Sequence, residues 1–146
     1  MPTQERIAYV QGVADGDGHA SVRSLNAGIA TKFNKKAYGS LLATLGIKSV
    51  SNGGGIIISQ RGSLRKAAEL PLFRHADGRL FRLKEAIIMI AAMKHTKVSI
   101  GERKAILEYH KEGLNANQIV PLLWAELGKA RRSGTIQKVI DDSRAK

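Results

Sequence analysis

The sequence predicts an α+β fold in which one antiparallel β-sheet carries helices on one of its faces. Apolar residues recur at helical spacing near the start of the chain, and two pairs of alternating segments follow, each with a short polar turn inside it. Further segments of helical spacing complete the chain. Strands joined by short turns pair as antiparallel hairpins, and two hairpins form one sheet when helices cover its apolar side. The opposite side of that sheet is then polar and open.

The first helix and hairpin are predicted before residue 34. Thr3 is a suitable helix cap, and the helix ends at the Asp15–Gly18 cluster of turn-forming residues. The side chains of residues 20–25 alternate with the two-residue period of a half-buried strand, and those of residues 29–34 do the same. Residues 26–28 (Asn-Ala-Gly) between them have the composition of a hairpin turn.

The same pattern then repeats. Asn34 is placed to cap a second helix, which Gly46 ends in the position just past the last turn. The remaining elements follow in this order: a strand over 47–51, a turn over 52–55, a strand over 56–60, a helix capped by Ser63 that ends before Pro71, and helices over 83–93 and 100–110.

Positive charge is the strongest global property of the chain. Its 146 residues include 24 Lys and Arg against 12 Asp and Glu, a formal net charge of +12. A surplus of this size favours a polyanion as partner, because neutralised phosphates release their condensed counterions. A basic protein with solvated lysines, or one that adheres to anionic membrane, would share the surplus, but no basic amphipathic helix of the membrane-surface type stands out.

The sequence has neither cysteine nor a long apolar run. Without cysteine it has no disulfide, no thiolate zinc site and no thiol nucleophile. The longest apolar run, residues 86–93, is too short to cross a bilayer, and the first residues lack the features of a secretion signal. We therefore expect a soluble, non-membrane protein of the cytoplasm or, in a eukaryote, of an organellar matrix.

The open face of the predicted sheet has side chains suited to DNA. Arg, Lys, Asn and Gln pair with base edges in the major groove, which is wide enough to admit a two-stranded ribbon. The candidate DNA-contacting residues are Ser21, Arg23, Lys32, Asn34, Lys48, Gln60 and Arg61. A polar open face is also common in proteins that bind nothing there.

Residues 10–18 (VQGVADGDG) are the segment most indicative of chemistry. Ala8, Gly12 and Gly16 recur every four residues, so one face of the first helix is nearly free of side chains and another helix can approach it closely. If that helix is its copy in a second chain, a two-fold axis brings two acidic helix ends together. Paired carboxylates hold Mg²⁺, which activates water for phosphodiester hydrolysis.

Two other interpretations apply to residues 15–18. A polar turn between a helix and a strand is the simpler one, because Asp and Gly are common turn residues. A calcium-binding loop is excluded, since Ala20 and Asn26 occupy the positions where such a loop has its glycine and its bidentate glutamate.

The segment resembles the motif of the LAGLIDADG homing endonucleases. The matching residues are Gly12, Asp15, Asp17 and Gly18, with Val10, Val13 and Ala14 at three aliphatic positions. Gln11 departs from the usual small residue, and Gly16 replaces an alanine. The order of strands and helix after the motif is also similar, so the resemblance covers about residues 3–110. It implies an αββαββα homing-endonuclease-like fold with a saddle-shaped sheet and the motif helix at the dimer interface.

The resemblance also implies an activity, that of a site-specific endonuclease of intron homing. Such an enzyme hydrolyses both strands of a long, nearly palindromic double-stranded DNA site with Mg²⁺, for which Mn²⁺ can substitute. The implied site residues are Asp17 and the carbonyl of Gly16 as metal ligands, Gly12 and Asp15 as structural residues, Ser21 and Arg23 as base-reading residues, and either Lys94 or Lys97 as the lysine that orders water or stabilises the transition state.

The sequence contains one copy of the motif. Residues 75–78 (His-Ala-Asp-Gly) end like it, but Pro71 would disrupt a preceding helix, so we interpret them as a turn. With a single motif, the resemblance to this family implies a homodimer.

Residues 111–146 are predicted as a helical extension of a core over residues 1–110. Residues 105–119 and 135–140 resemble a helix-turn-helix unit, in which Arg131 and Arg132 would precede the DNA-contacting helix. Pro121 and residues 124–128 interrupt that pattern. Helices that pack on the sheet or on a partner chain are the other interpretation.

Two further function classes are compatible with the sequence. A non-cutting binder of the same fold, either an RNA maturase or a transcription regulator, would be distinguished by loss of the metal aspartate, and Asp17 is present. A basic structural protein of the ribosomal or chromatin type would bind without a metal and with little sequence preference.

Overall fold

The computed structural model describes residues 1–93 and 97–145. These residues form the elements α1 (Thr3–Asp17), β1 (Gly18–Ser21), β2 (Asn26–Ala30), α2 (Lys35–Thr44), β3 (Val50–Asn52), β4 (Gly55–Ile58), α3 (Arg61–Glu69), α4 (Asp77–Ala92), α5 (Ile100–Lys111), α6 (Ala116–Leu127) and α7 (Ser133–Arg144). The predicted α+β class is confirmed, because the strands form one antiparallel sheet.

The contacts among these residues divide the chain into two compact units. The first contains residues 1–21 and 25–87, and the second contains residues 22–24 and 88–146. In the second unit, α5, α6 and α7 contact one another. The boundary expected after residue 110 stays a prediction about domains.

The sheet organises the first unit. Its strand order is β1-β2-β4-β3, and every neighbouring pair is antiparallel. Ala27 lies opposite Ala20 on one side and Ile58 on the other, and all three side chains are buried. Helices α1 and α2 contact the strands. Since successive side chains of a strand point to opposite faces, the residues between these buried positions form the open face.

The first hairpin turns earlier than the sequence predicts. Residues 22–25 join β1 to β2, and the expected turn residues 26–28 lie inside β2. Leu25 has a left-handed φ of 54°, which costs a non-glycine residue about 1 kcal/mol. Its side chain is only 1% exposed, so burial in the core offsets that strain.

Position 28 requires glycine because of close packing in the sheet, and not because of a turn. A Cβ at this position would lie 2.3 Å from the carbonyl oxygen of Ile56 and 2.6 Å from Cε1 of His19, the residue opposite on β1. Strand β2 ends at Ala30, and the prediction that Lys32 and Asn34 are strand residues is wrong. Asn34 instead precedes α2 as its N-cap, without a side-chain capping bond.

The helix ends are close to those expected. Pro2 is the N-cap of α1 and Thr3 is the first residue of the helix, so the prediction that Thr3 caps α1 is wrong. Helix α1 continues to Asp17, past the predicted breakpoint at Asp15. Gly46 follows α2 with a left-handed φ of 81°, as predicted. Asp77 begins α4, so the predicted turn over residues 75–78 is correct only for its first part.

The second hairpin starts later than expected because its first residues have other partners. The Ile47 N–H donates to the carbonyl oxygen of Leu42 at 3.0 Å, and the Lys48 N–H donates to Oγ of Ser63 at 2.9 Å. Residues 47–49 are therefore outside β3. The hydroxyl of Ser63 is buried inside α3, so Ser63 is not the cap of that helix.

The helices of the second unit share a core of their own. Ile106 of α5, Ile119 and Leu123 of α6, and Ile136 of α7 are fully buried. Helix α6 runs through Pro121 and ends at Gly128, so Pro121 does not interrupt the helix, whereas Gly128 does end it.

Candidate functional site

The end of α1 is held in a tight turn into β1. The N–H of Gly18 donates to the carbonyl oxygen of Ala14. A Cβ on Gly18 would lie 2.3 Å from that oxygen and 2.6 Å from Cε1 of Phe73, whose side chain is fully buried. Only glycine fits at this position, and the position of Asp17 just before it is fixed by this packing.

The two aspartates of the motif have different surroundings. Both carboxylate oxygens of Asp15 accept from the backbone N–H of His75 at 3.2 Å, in the turn that precedes α4. Asp17 is exposed, and within residues 1–93 and 97–145 no group donates to its carboxylate. Asp15 therefore stabilises the fold within its own chain, and the carboxylate of Asp17 is available to a ligand.

Arg79 of α4 caps the carbonyl end of α1. Its guanidinium donates to the carbonyl oxygen of Ala14 at 3.1 Å and to that of Asp15 at 2.5 Å. A cation here also interacts favourably with the negative end of the helix dipole. These bonds do not include the carbonyl oxygen of Gly16, the other predicted metal ligand.

Gln11 explains one departure from the motif. Its side chain is buried, and Nε2 donates to the carbonyl oxygens of Leu70 at 2.8 Å and Pro71 at 3.0 Å, just past α3. Gln11 lies on the face of α1 that packs inside its own chain, so a polar side chain at this position does not obstruct the small-residue face.

The small-residue face of α1 is uncovered. Ala8, Gly12 and Gly16 are exposed, and a Cβ added to either glycine would have no atom within 4 Å. Beside them the side chain of Tyr9 is 51% exposed. Nothing in the described chain explains why these positions lack side chains, since glycine inside a helix costs about 1 kcal/mol relative to alanine.

The open face of the sheet begins next to Asp17. His19 and Ser21 of β1 point to this face, because they alternate with the buried Gly18 and Ala20. Ser21 is thus on the predicted face. The four histidines have no metal-ligand spacing in the sequence, which favours a hydrogen-bonding or DNA-facing role for His19, and its side chain lies on the open face.

His19 is half-buried over the backbone of Gly28. Burial, and then the positive charge of Arg79, hold the pKa of the His19 imidazole below its usual value. The ring is therefore neutral at pH 7, and it presents one donor and one acceptor to whatever covers this face.

The other predicted DNA contacts are all exposed, but none of them lies within a strand. Lys48 and Gln60 line one shallow depression with Val50 and Ile57, which lie opposite each other on the open face. Arg23 is in the turn of the first hairpin, Lys32 follows β2, and Arg61 begins α3.

The predicted catalytic lysine is not identified by the structure. Lys94 lies outside the described residues. Lys97 belongs to the second unit, where its side chain is exposed and its carbonyl oxygen accepts from Arg131 at 3.4 Å.

The donors near the end of α1 are suited to a hard divalent cation. The carboxylate of Asp17 and the carbonyl of Gly16 are oxygen donors of the kind that Mg²⁺ and Mn²⁺ prefer. Within the described residues, no three His, Asp or Glu side chains are grouped to hold a metal. The end of α1 therefore offers one exposed carboxylate, that of Asp17.

Comparisons of the chain with protein-family models, with curated proteins and with solved structures gave no match. No helix within residues 1–93 and 97–145 has the length and apolar character needed to span a membrane.

Proposed function

We propose that the chain is a LAGLIDADG-type endonuclease, a homodimer that cuts both strands of double-stranded DNA with a divalent metal bound by Asp17. The observation that carries this proposal is the contrast at the end of α1. Asp15 is used inside its own chain, whereas Asp17 is exposed beside a helix face that no described residue covers.

The order of the elements supports the proposed family. The first seven elements follow as α1, β1, β2, α2, β3, β4 and α3, which is the αββαββα order that the motif resemblance implies. The sheet is antiparallel with helices on one side. Its open side starts directly after the motif, where the family reads DNA.

The bare face of α1 supports a dimer formed through this helix. Two copies packed along Ala8, Gly12 and Gly16 would bring their backbones close together, because no side chain larger than the methyl group of Ala8 separates them. A two-fold axis through this contact makes the surface self-complementary. It would also bring together the two Asp17 carboxylates, which follow the same face.

Each group at the end of α1 has a task in this proposal. Asp17 and the Gly16 carbonyl hold the metal ion, which when bound activates a water and stabilises the leaving oxygen. Asp15 and Arg79 fix the helix end, and His19 faces the DNA beside it. The positive surface binds phosphates, and Ser21 with the other open-face residues contacts bases.

The test is cleavage of host-type genomic DNA by the purified protein, with Mg²⁺ or with EDTA, followed by sequencing of the new ends. Discrete breaks at a nearly palindromic site are expected with Mg²⁺ alone. Asp17→Asn removes one anionic ligand and should reduce cutting at least about 100-fold while DNA binding remains. Asp77→Asn is the matched control, because it makes the same change at an exposed aspartate of α4 that has no role in the proposed site.

The other outcomes have distinct meanings. Full cutting by Asp17→Asn would overturn the metal-ligand assignment. Tight binding without Mg²⁺-dependent breaks would favour the non-cutting binder, and RNA is then the next substrate to test. Lys94→Ala and Lys97→Ala, compared in the same assay, identify which lysine contributes to the reaction.

A further inference from the structure

The second unit contains three helices that stabilise one another. Capping boxes start α5 and α6: Ser99 pairs with Glu102, and Asn115 pairs with Gln118. The left-handed Gly128, with a φ of 64°, ends α6. Helices α6 and α7, joined by this turn and packed in the shared core, follow one another as in a helix-turn-helix unit.

The turn between α6 and α7 is anchored by a buried ion pair. Nε of Arg131 donates to Oε2 of Glu102 at 2.9 Å, and its terminal nitrogen donates to Oε1 at 3.1 Å. The two side chains are only 10% and 4% exposed. Arg131 is therefore paired with Glu102 of α5, and its side chain is not among the exposed basic groups of the turn. The pair holds the start of α7 in one place relative to α5.

Helix α7 presents a polar face to solvent. Ile136, Val139 and Ile140 are buried. The exposed residues in the first half of the helix are Gly134, Thr135, Gln137 and Lys138. Gly134 and Lys138 lie one turn apart at the centre of this outward face, because residues four apart share a helix face.

Charge is distributed unevenly along this face. Lys129 and Arg132 are exposed in the turn before α7, and Lys138 is exposed in its first half. The second half contains the acidic residues Asp141 and Asp142 and one basic residue, Arg144, in the last turn. A polyanion is thus attracted more strongly to the first half of α7 than to the second.

We propose that the first half of α7, with the turn before it, is a second DNA-binding surface that enters the major groove of double-stranded DNA. An α-helix fits this groove, and in helix-turn-helix units the N-terminal part of the second helix contacts base edges. Lys129 and Arg132 bind phosphates, and Lys138 and Thr135 face the bases. The proposal extends the DNA partner of the proposed function, but it depends on neither Asp17 nor a metal.

The first experiment measures binding of the full chain to a mixed-sequence DNA duplex in EDTA at several salt concentrations. The double variant Lys129→Gln/Arg132→Gln should weaken binding about tenfold or more and lower the slope of log K against log salt by about 1.8, since each lost phosphate contact removes about 0.9. Lys104→Gln/Lys111→Gln is the matched control, because it removes two exposed charges from α5. A smaller loss is expected from this control.

The outcomes separate binding by α7 from bulk charge and from misfolding. Equal losses in the two double variants would overturn the proposal, because net charge alone would then explain binding. A lowered melting temperature would be a sign of misfolding, so Lys138→Ala provides an independent readout in a DNA selection from a random duplex library. It should relax base preference at one position, and an unchanged selected sequence would count against the groove contact.

The experiment also distinguishes this proposal from the endonuclease proposal. If Asp17→Asn still cuts, the metal site is wrong, while the binding measured in EDTA still tests α7. Preferential binding of single-stranded DNA or RNA over the duplex would overturn the groove proposal and leave the Asp17 test unaffected.

Discussion

At the residue scale, the motif combines two aspartates that differ in their hydrogen bonds. The carboxylate of Asp15 accepts the backbone N–H of His75, whereas Asp17 extends into solvent. Their positions two apart in a helix place them on different sides of α1. We therefore expect the two aspartates to have separable effects, Asp15 on stability and Asp17 on ligand binding.

Replacing Asp15 by Ala should lower the free energy of unfolding by about 1 kcal/mol, because the His75 N–H loses its partner. Asp17→Ala should change it by less than about 0.5 kcal/mol, because its side chain is exposed without contacts. Urea unfolding of both variants checks this difference. Similar values for the two would contradict the assignment of Asp15 as the structural acid.

The contacts of Glu102 predict how the stability of the second unit depends on pH in the acid range. Burial alone would raise its pKa, but the hydrogen bonds from Arg131 and Ser99 outweigh burial and hold the pKa below the ordinary value of 4.5. A carboxyl with a lowered folded pKa stabilises the fold above its unfolded pKa, and this contribution is lost as the pH falls through the folded value.

We therefore expect stability to decrease below about pH 4.5 through this pair. Glu102→Gln should lose about 3 kcal/mol at pH 7, because it leaves the guanidinium of Arg131 buried without a counter-charge. Its unfolding free energy should depend less on pH in the acid range than that of the wild type. Urea titrations of the wild type and the variant at several pH values test both expectations. Parallel plots of unfolding free energy against pH for the two proteins would show that the pair does not titrate in this range.

At the scale of the element, α1 has one face packed inside its chain and one face that is open. Val10, Gln11 and Ala14 are buried, whereas Gly12 and Gly16 have open space where a side chain would be. A leucine at Gly12 is therefore compatible with the folded monomer, and its effect reports on association.

Gly12→Leu should keep or raise the melting temperature of the dilute protein, since leucine favours helix formation over glycine by up to about 1 kcal/mol. It should also shift the protein from dimer to monomer, as the added side chain separates the two backbones. Sedimentation equilibrium measures the shift. Gly62→Leu in α3 is the control, because its position is equally open. If both variants remain dimeric, α1 is not the interface.

Strand β2 depends on a glycine for a different reason. Gly28→Ala would place a methyl group against the backbone of Ile56 and the ring of His19. We expect a loss of about 1–3 kcal/mol in unfolding free energy from this overpacking. Gly53→Ala, in open space at the second hairpin, should change it far less. Equal unfolding midpoints in denaturant would mean that the strands shift to accommodate the methyl group.

At the scale of the whole molecule, the net charge of +12 acts over every surface described above. Exposed basic residues occur both in the first unit, such as Arg61, and in the second, such as Lys138. Binding driven by such charge weakens with added salt, because counterion release then contributes less free energy.

We expect affinity for duplex DNA in EDTA to fall about 1000-fold or more between roughly 50 and 200 mM salt, which is the loss typical of about six or more phosphate contacts. Fluorescence anisotropy with a labelled duplex measures this dependence. Affinity that is nearly independent of salt would exclude phosphate contact as the main source of binding.

Local patterns predicted much of this fold. Two hairpins, the helix between them and the left-handed Gly46 follow from short-range periodicity and turn chemistry, and the structure contains them. The first turn was misplaced because residues 26–28 have a turn-like composition. The actual turn at residues 22–25 contains no glycine, and its strain is offset only by the buried side chain of Leu25.

The candidate site was predictable where it depends on residue type and spacing. The small-residue face, the acidic helix end and the open-face position of Ser21 follow from helical and strand periods. The same strand period places His19 on this face with Ser21. Arg131 was placed just before a DNA-contacting helix because its charge alone does not reveal that it pairs with Glu102, 29 residues away.

By itself the sequence determined the α+β class, the positive charge and the spacing of Gly12, Gly16 and Asp17, because these depend on composition and local period. Only the tertiary structure decided which polar groups are committed to the fold. Asp15, Gln11 and Arg131 find partners far away in sequence. Such pairings depend on how elements pack, and packing decides that Asp17, by contrast, is left available to a ligand.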